Sequence, residues 1–441
     1  MITSFPLTFQ QQWLLELNRR HRHWHCVAGY TFRLKGLLDI DLLQQSLADV
    51  VRRHGSLRAR LAIVDGVSQQ LIGNTAVCLL EPIRVPGTSQ PEIEANATRA
   101  AEELYDLPMQ PYTAPLWSAT VLRLTDGEHW LVLVMHRLIA ECASIERVFL
   151  ELRSLYEERT GGGPSPFPDE PPQYSDYALG QQSTYGDWVK RHEAYWNTRL
   201  AGANCVRWPV DRLVEPGTSG TLGKVTCSFG STLGSQLQEL ARKLRTLSAT
   251  IMLAVYAVTL WRWSRQNDFV LPFNVAGRQS EHRPIVGYFS YILHLRVEIV
   301  GTETFREFVG RIGNEFYRAL AHQDFGRVAT NNPGLLASTL FQWITWHPEE
   351  AAGTPGPAPD MSQALTVDRV PIRNFGEGLT IAPPGMVDVE ITLFDAVDGL
   401  WALGTYRADR FSHRTLGRFM EDLRAAAQRC VLDPDARLTW S

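Results

Sequence analysis

The chain has 441 residues, 44% hydrophobic and 20% charged, which is ordinary globular material for two or three domains. A formal net charge of −4 supplies no basic field to attract nucleic acid. Six cysteines without a Cys-x-x-Cys pair argue against a disulfide frame or a zinc knuckle, and for free thiols in a reducing compartment.

The opening residues, MITSFPLTFQQQWLLEL, lack a basic segment followed by an apolar one, so no signal peptide is read. VAGYTFRL (27–34) has the composition of a strand. DIDLLQQSLADVVRRHG (39–55) sets Ile40, Leu43, Leu47 and Val50 on one helical face, and Gly55 suits the stop. SLRARLAIV and VSQQLI are short strands, 91–105 is a helix, and PLWSATVLRL and HWLVLVMH are two more strands. A helix follows from Ser144, its expected N-cap, with Ile145, Val148, Phe149, Leu152 and Leu155 at helical spacing.

GGGPSPFPDEPPQ (161–173) is the clearest linker, and it divides the chain into 1–173 and 174–441. Beyond it the alternation restarts, with helices at 182–200, 231–245 and 249–264 and a strand at 268–277. A strand at 288–299, a helix near 303–321 and a strand at 338–347 continue the pattern. A second Pro/Gly loop (351–360), the strands VDVEITLFDA and LWALGTYRA, and a helix at 412–431 close it. The run IMLAVYAVTLW (251–261) is too short to span a bilayer, so a cytoplasmic protein without membrane contact is expected. Physically, the pattern is that of a two-lobed α/β protein.

Residues 132–144, VLVMHRLIAECAS, carry the clearest chemistry: an apolar strand delivers His136 and Arg137 to its end, and Glu141 follows. Histidine suits a general base, whereas a guanidinium cannot accept a proton near neutral pH. The stretch is one of seven landmarks whose order resembles the condensation domains of nonribosomal peptide synthetases. FPLTFQQQWLLEL (5–17) resembles "PLSxxQxxLWxLxxL", RHGSLRARL (53–61) resembles "RHExLRTxF", and MHRLIAECAS (135–144) lies where that family has "MHHxxxDGxS". YSDYA (174–178) resembles "YxDFA", and NVAGR (274–278) resembles "pVaGR". VGYFSYILHLR (286–296) resembles "IGxFVNTxxxR", and HQDFGRV (322–328) resembles "HQDxPFExV".

The resemblance implies an α/β fold of two chloramphenicol-acetyltransferase-like lobes in a V-shaped pseudo-dimer, with a tunnel at their junction. It implies no permanently bound cofactor, but the phosphopantetheine arms of carrier proteins as visitors. With no adenylation signature and no Gly-Gly-x-Ser carrier site in the sequence, those carriers are expected in trans. In such domains the second histidine of the motif serves the chemistry, while the first histidine and the aspartate are structural. Here His136 takes the first place, Arg137 the catalytic one, Glu141 that of the acid and Cys142 that of the glycine. The other register would leave Ala140 at the acid, so the one with Glu141 fits better. Glu141 is then expected to pair with Arg278 of NVAGR, brought from the neighbouring lobe.

Several departures bear on activity. Arg137 cannot be a base but suits an oxyanion, a carboxylate or a phosphate, or an acid that locks it as a plug. Cys142 replaces a small residue, and as a thiol with no visible activator it is read as inert. Tyr291 stands where the family pattern has asparagine, and Trp343 and His347 are further candidates to line the tunnel, His347 also as a replacement base. HRHWHC (21–26) has three histidines on one face of an extended segment, but no ligand cluster completes a metal site. The "HRxxxDD" pattern of X-domains in glycopeptide synthetases is the nearest variation. Two functions follow: an acyltransferase forming an amide or ester without the usual histidine, or an inert X-domain-like platform that recruits a tailoring oxygenase or a carrier protein.

Overall fold

The computed structural model describes residues 2–21, 26–74, 82–113, 115–214, 221–322, 338–345, 366–370, 386–396 and 399–438. In chain order the first elements are β1 (Thr3–Pro6), α1 (Phe9–Arg20), β2 (Val27–Lys35), α2 (Ile40–Arg53), β3 (Ala59–Val64), β4 (Val67–Ile72) and β5 (Ile83–Arg84). Then come α3 (Gln90–Tyr105), β6 (Trp117–Thr125), β7 (Glu128–His136), α4 (Cys142–Arg159) and α5 (Tyr174–Arg199). β8 (Leu222–Phe229), α6 (Gly230–Leu244), α7 (Ser248–Ser264), β9 (Asp268–Val275), β10 (Tyr291–Glu298) and α8 (Phe305–Ala321) follow. The last are β11 (Thr339–Thr345), β12 (Thr366–Val370), β13 (Val389–Ala396), β14 (Gly399–Arg407) and α9 (His413–Leu432).

These elements form two compact units that interleave in sequence. The first contains Met1–Tyr185, Gly277–Ser290 and Pro348–Ile381; the second contains Gly186–Ala276, Tyr291–His347 and Ala382–Ser441. A single break at residue 173 therefore divides the chain more simply than its packing does. The Pro/Gly composition of 161–173 marks a loop, but the boundary falls inside α5, between Tyr185 and Gly186.

The first unit is built on a sheet ordered β12–β2–β7–β6–β5. Side chains alternate between its faces. Tyr30, Phe32 and Leu34 of β2 and Leu131, Leu133 and Met135 of β7 pack with α2 and α4, while Val27, Trp130, Val132 and Val134 pack with α3. Covering both faces explains why β7 reads as a continuous apolar run rather than an alternating one. Each such fully buried aliphatic side chain contributes about 1.5–3 kcal/mol, before the entropy of ordering it is subtracted. β12, which no sequence pattern predicted, is short and pairs antiparallel with β2. A smaller sheet, β1–β4–β3, turns at Asp65 and Gly66, both with positive φ as a tight hairpin turn requires.

The second unit has a sheet ordered β10–β9–β11–β13–β14–β8, in which β11 runs parallel to both neighbours and the other pairs are antiparallel. Phe269, Leu271 and Phe273, then Leu293 and Leu295, then Ile391 and Leu393 face α7 and α9. α7 is buried all round from Thr250 to Trp261, which accounts for the apolar run at 251–261 as a core helix. Among the described residues no single helix is long and apolar enough to cross a membrane. The alternate positions of the sheet's strands mix buried apolar side chains with buried polar ones: His294, Gln342, Glu390, Thr392 and Thr405.

Candidate functional site

The site is assembled at the C-terminal end of β7. Pairing with β2 continues to Val27 and His136, and the Arg137 amide then donates to the Cys26 carbonyl (2.8 Å). The chain turns as the Ile139 amide donates to the His136 carbonyl (3.0 Å), so the last strand residues hand their side chains to the space before α4. His136 is fully buried, and its Nδ1 accepts from the Leu138 amide at 3.1 Å. That bond fixes the neutral tautomer with the proton on Nε2. Burial, aided by the adjacent Arg137 charge, pushes the ring down to about 3. An imidazole whose lone pair is already engaged and whose cation is so disfavoured does not serve as a base at neutral pH.

Arg137 is 6% exposed. Its charge acts on two buried neighbours from different segments of the first unit. Burial pushes the Cys26 thiol up to about 12 despite Arg137, which opposes the shift. Burial likewise raises the Tyr288 hydroxyl above its ordinary value, again with Arg137 opposing. The guanidinium thus sits in a buried setting, where a partial negative charge on a ligand would be felt more strongly than in water.

Glu141 and Arg278 form the structural heart of the site, both nearly enclosed, at 5% and 8% side-chain exposure. Arg278 Nε donates to Glu141 Oε1, and Ser290 Oγ donates to Glu141 Oε2 at 2.5 Å. Arg278 Nη1 donates to the carbonyls of His282 (2.6 Å) and Ile285 (2.8 Å), and Nη2 to Ser144 Oγ (2.7 Å). The guanidinium also lies over the Phe289 ring, 4.4 Å from its centroid. Every face of the ion pair is therefore answered, the condition under which a buried pair is tolerable. Arg278 opens the segment Gly277–Ser290, which packs with the first unit. The pair therefore lies within the first unit and was not brought from the other lobe, as the resemblance had implied.

Three residues around this pair make contacts that the sequence did not disclose. The Ser144 hydroxyl, expected as a helix cap, instead donates to the Gly287 carbonyl (2.8 Å) and accepts from the Gly287 amide (3.0 Å); α4 starts earlier, with Glu141 at its N-cap. Tyr174 donates to the Tyr288 carbonyl (2.5 Å), shares a hydrogen bond with Thr8 Oγ1 (2.9 Å), and lays its ring on Gly287. A Cβ at Gly287 would stand 2.1 Å from that ring, so only glycine fits. Gln11 anchors the turn after His136 by donating to the Leu138 carbonyl (2.7 Å). Each is a long-range contact, which residue spacing alone does not disclose.

Cys142 begins α4, half-buried against the first unit's core. Tyr291 and Trp343, proposed as tunnel-lining, both lie on the core-facing side of the second unit's sheet, Tyr291 2% exposed and Trp343 partly buried. Strand alternation fixes this, because Tyr291 shares its face with Leu293 and Leu295. His347 and most of HRHWHC lie outside the described residues. Among the described residues no group of three or more histidine, cysteine, aspartate or glutamate side chains could hold a metal ion.

A family model described as the condensation domain matches residues 1–328. The chain is 27% identical over 444 residues to a linear gramicidin synthase of Brevibacillus parabrevis, covering 98% of this chain and 8% of that protein. It is 30% identical over 333 residues to the isonitrile lipopeptide synthase of Mycobacterium tuberculosis, covering 73% of this chain and 13% of that protein. The chain thus spans less than a seventh of either of these two relatives. Among solved structures, the SgcC5 protein from Streptomyces globisporus superposes with a TM-score of 0.80 at 23% identity, covering 98% of this chain and 100% of that one. The X-domain from teicoplanin biosynthesis superposes with a TM-score of 0.78 at 22% identity, covering 98% and 96%. The mixed α/β fold is that of condensation domains.

Proposed function

The chain belongs to the condensation-domain family of nonribosomal peptide synthesis, and from that premise we propose that it transfers an acyl or peptidyl group from a carrier-tethered thioester with Arg137 in the catalytic seat. The observation that carries this reading is the pairing of a disqualified His136 with a buried, cationic Arg137 beside it. An amine or hydroxyl would attack the thioester carbon, and Arg137 would donate to the oxyanion that forms. Collapse would expel the phosphopantetheine thiolate, which takes up the proton released by the nucleophile. A free amine needs positioning more than a base, and oriented binding supplies positioning. The intact Glu141–Arg278 network supports the reading too, since it holds the end of β7 and the start of α4 in place. Carrier proteins would deliver both substrates in trans.

A second reading rests on the likeness to the teicoplanin X-domain, which has also been solved in complex with OxyB. On that reading the chain is a platform that recruits a tailoring oxygenase or a carrier and makes no bond.

Single-turnover assays with loaded donor and acceptor carriers separate the two. Product that falls about 100- to 1,000-fold in Arg137→Ala, the usual loss for one oxyanion donor, and recovers in part in Arg137→Lys is the expected result. Saturable oxygenase binding with no product, and no effect of Arg137→Ala on that binding, would sink the transfer reading.

A further inference from the structure

The HQDFGRV stretch begins with a histidine to which the function above gives no task. His322 caps the C-terminus of α8, and its Nδ1 lies 2.8 Å from Nδ1 of His192 on α5. Both residues belong to the second unit and both are partly exposed. Each ring is held by a neighbour on α5: Tyr195 stacks on His322 with centroids 3.9 Å apart and planes 5° apart, and Trp188 stacks on His192 at 4.5 Å. The backbone of His322 is pinned as well, because Trp196 Nε1 donates to its carbonyl at 2.6 Å. Two imidazole nitrogens from separate elements thus share one hydrogen bond, one donating and the other accepting, with both side chains stacked and with access to solvent.

We propose that His192 and His322 form a two-histidine site for a divalent transition-metal ion of the zinc class, independent of the acyl-transfer site. Imidazole nitrogen is a preferred donor for zinc, copper and nickel, and it binds in its neutral form. Two nitrogens at zinc–nitrogen bond lengths in tetrahedral geometry stand about 3.3 Å apart, so an ion that displaces the shared proton requires each ring to shift by a few tenths of an ångström and to turn its lone pair toward the ion. With two protein ligands the remaining positions are open to water, which makes the site a modest binder and not a closed structural centre. A bound ion joins α5 to the end of α8.

The test is equilibrium dialysis of the whole chain against zinc chloride, with thermal melting and copper-loaded electron paramagnetic resonance beside it. The wild type is expected to take up one more equivalent of zinc than His192→Ala or His322→Ala. Zinc is expected to raise its melting temperature, and neither variant should show the rise. The copper spectrum should carry couplings from two imidazole nitrogens in the wild type and from one in His192→Ala. Equal zinc uptake by wild type and His192→Ala, where the zinc-free melts of the two coincide, overturns the proposal. Where the variant itself is unstable, the wild-type copper spectrum decides: without two equivalent imidazole nitrogens the site does not exist.

Discussion

Two buried polar clusters, one in each unit, are satisfied to different degrees. In the first, Glu141, Arg278, Ser144 and Ser290 answer one another, and Arg278 also caps two backbone carbonyls, so desolvation is offset bond by bond. In the second, the sheet face away from the core carries buried polar groups beside apolar ones such as Val270 and Ile292, and only some of the polar groups are matched. Gln342 Nε2 donates to Glu390 Oε1 (2.7 Å) and Thr392 Oγ1 (2.6 Å), but both ring nitrogens of His294 and the Oδ1 of Asn274 find no partner among the described residues. A satisfied network specifies one arrangement, whereas an unsatisfied one costs stability and is kept for another reason or answered by water.

The largest expected effect comes from making the first unit resemble the second. Arg278→Ala strips Glu141 of its cation and leaves the carboxylate with Ser290 alone. Removing one partner of a buried ion pair typically costs about 3–5 kcal/mol. Urea denaturation is expected to show a loss of that size; a loss below about 1 kcal/mol would mean that the pair is solvated and the contrast between the units is false.

Acid sharpens the comparison, because each unit holds a histidine with no exposed surface, His136 in the first and His294 in the second. His136 and His294 are both pushed down to about 3 from 6.5 by burial, and His136 also by Arg137. A lowered folded value means that the neutral ring is what folds. The contribution is complete above pH 6.5 and drains away as the pH falls toward 3, where the unfolded chain takes a proton that the folded one refuses. Each ring adds a slope of about 1.4 kcal/mol per pH unit in that window. Stability measured at pH 7, 6 and 5 should therefore decline, and replacing either histidine should remove one proton's worth of slope.

The sequence disclosed the two α/β halves, because hydrophobic period follows local backbone geometry: β7, α4, α7 and β9 all stand where their apolar spacing put them. The stretch from His136 to Ser144 was legible as well, since a motif is a local object. What stayed hidden was made by distance along the chain. The lodging of Gly277–Ser290 in the first unit depends on Arg278, Ser144 and Tyr174 meeting across more than a hundred residues. The face on which Tyr291 and Trp343 lie depends on where β10 and β11 begin, and a one-residue shift in a strand inverts its faces. β12 was missed because five residues beside a Pro/Gly loop carry too little periodicity to count.

A smaller effect is expected where the first unit's order is steric and not polar. Gly287→Ala places a methyl 2.1 Å from the Tyr174 ring, and that ring cannot swing away without giving up its bonds to Tyr288 and Thr8. Overpacking of this kind costs about 1–3 kcal/mol. Denaturation of Gly287→Ala beside Gly287→Ala/Tyr174→Leu checks the cause: the double variant should lose less than the sum of the two single ones.

The smallest expected change is the most discriminating, and it sets His136 against His294 directly. Both are fully buried, but Nδ1 of His136 accepts the Leu138 amide, while neither nitrogen of His294 is engaged among the described residues. His136→Leu orphans a buried amide and should cost about 1–3 kcal/mol at pH 7. His294→Leu removes two unanswered polar atoms and orphans nothing described, so it should be neutral within about 0.5 kcal/mol, or stabilising. Parallel melts at pH 7 read the difference. An equal loss in both variants would show that His294 is held by bonds to water, and the polar groups around it would then form a hydrated network as complete as the one around Glu141. A gain in His294→Leu would identify that face as polar at the expense of stability, which proteins tolerate chiefly where a surface meets a ligand.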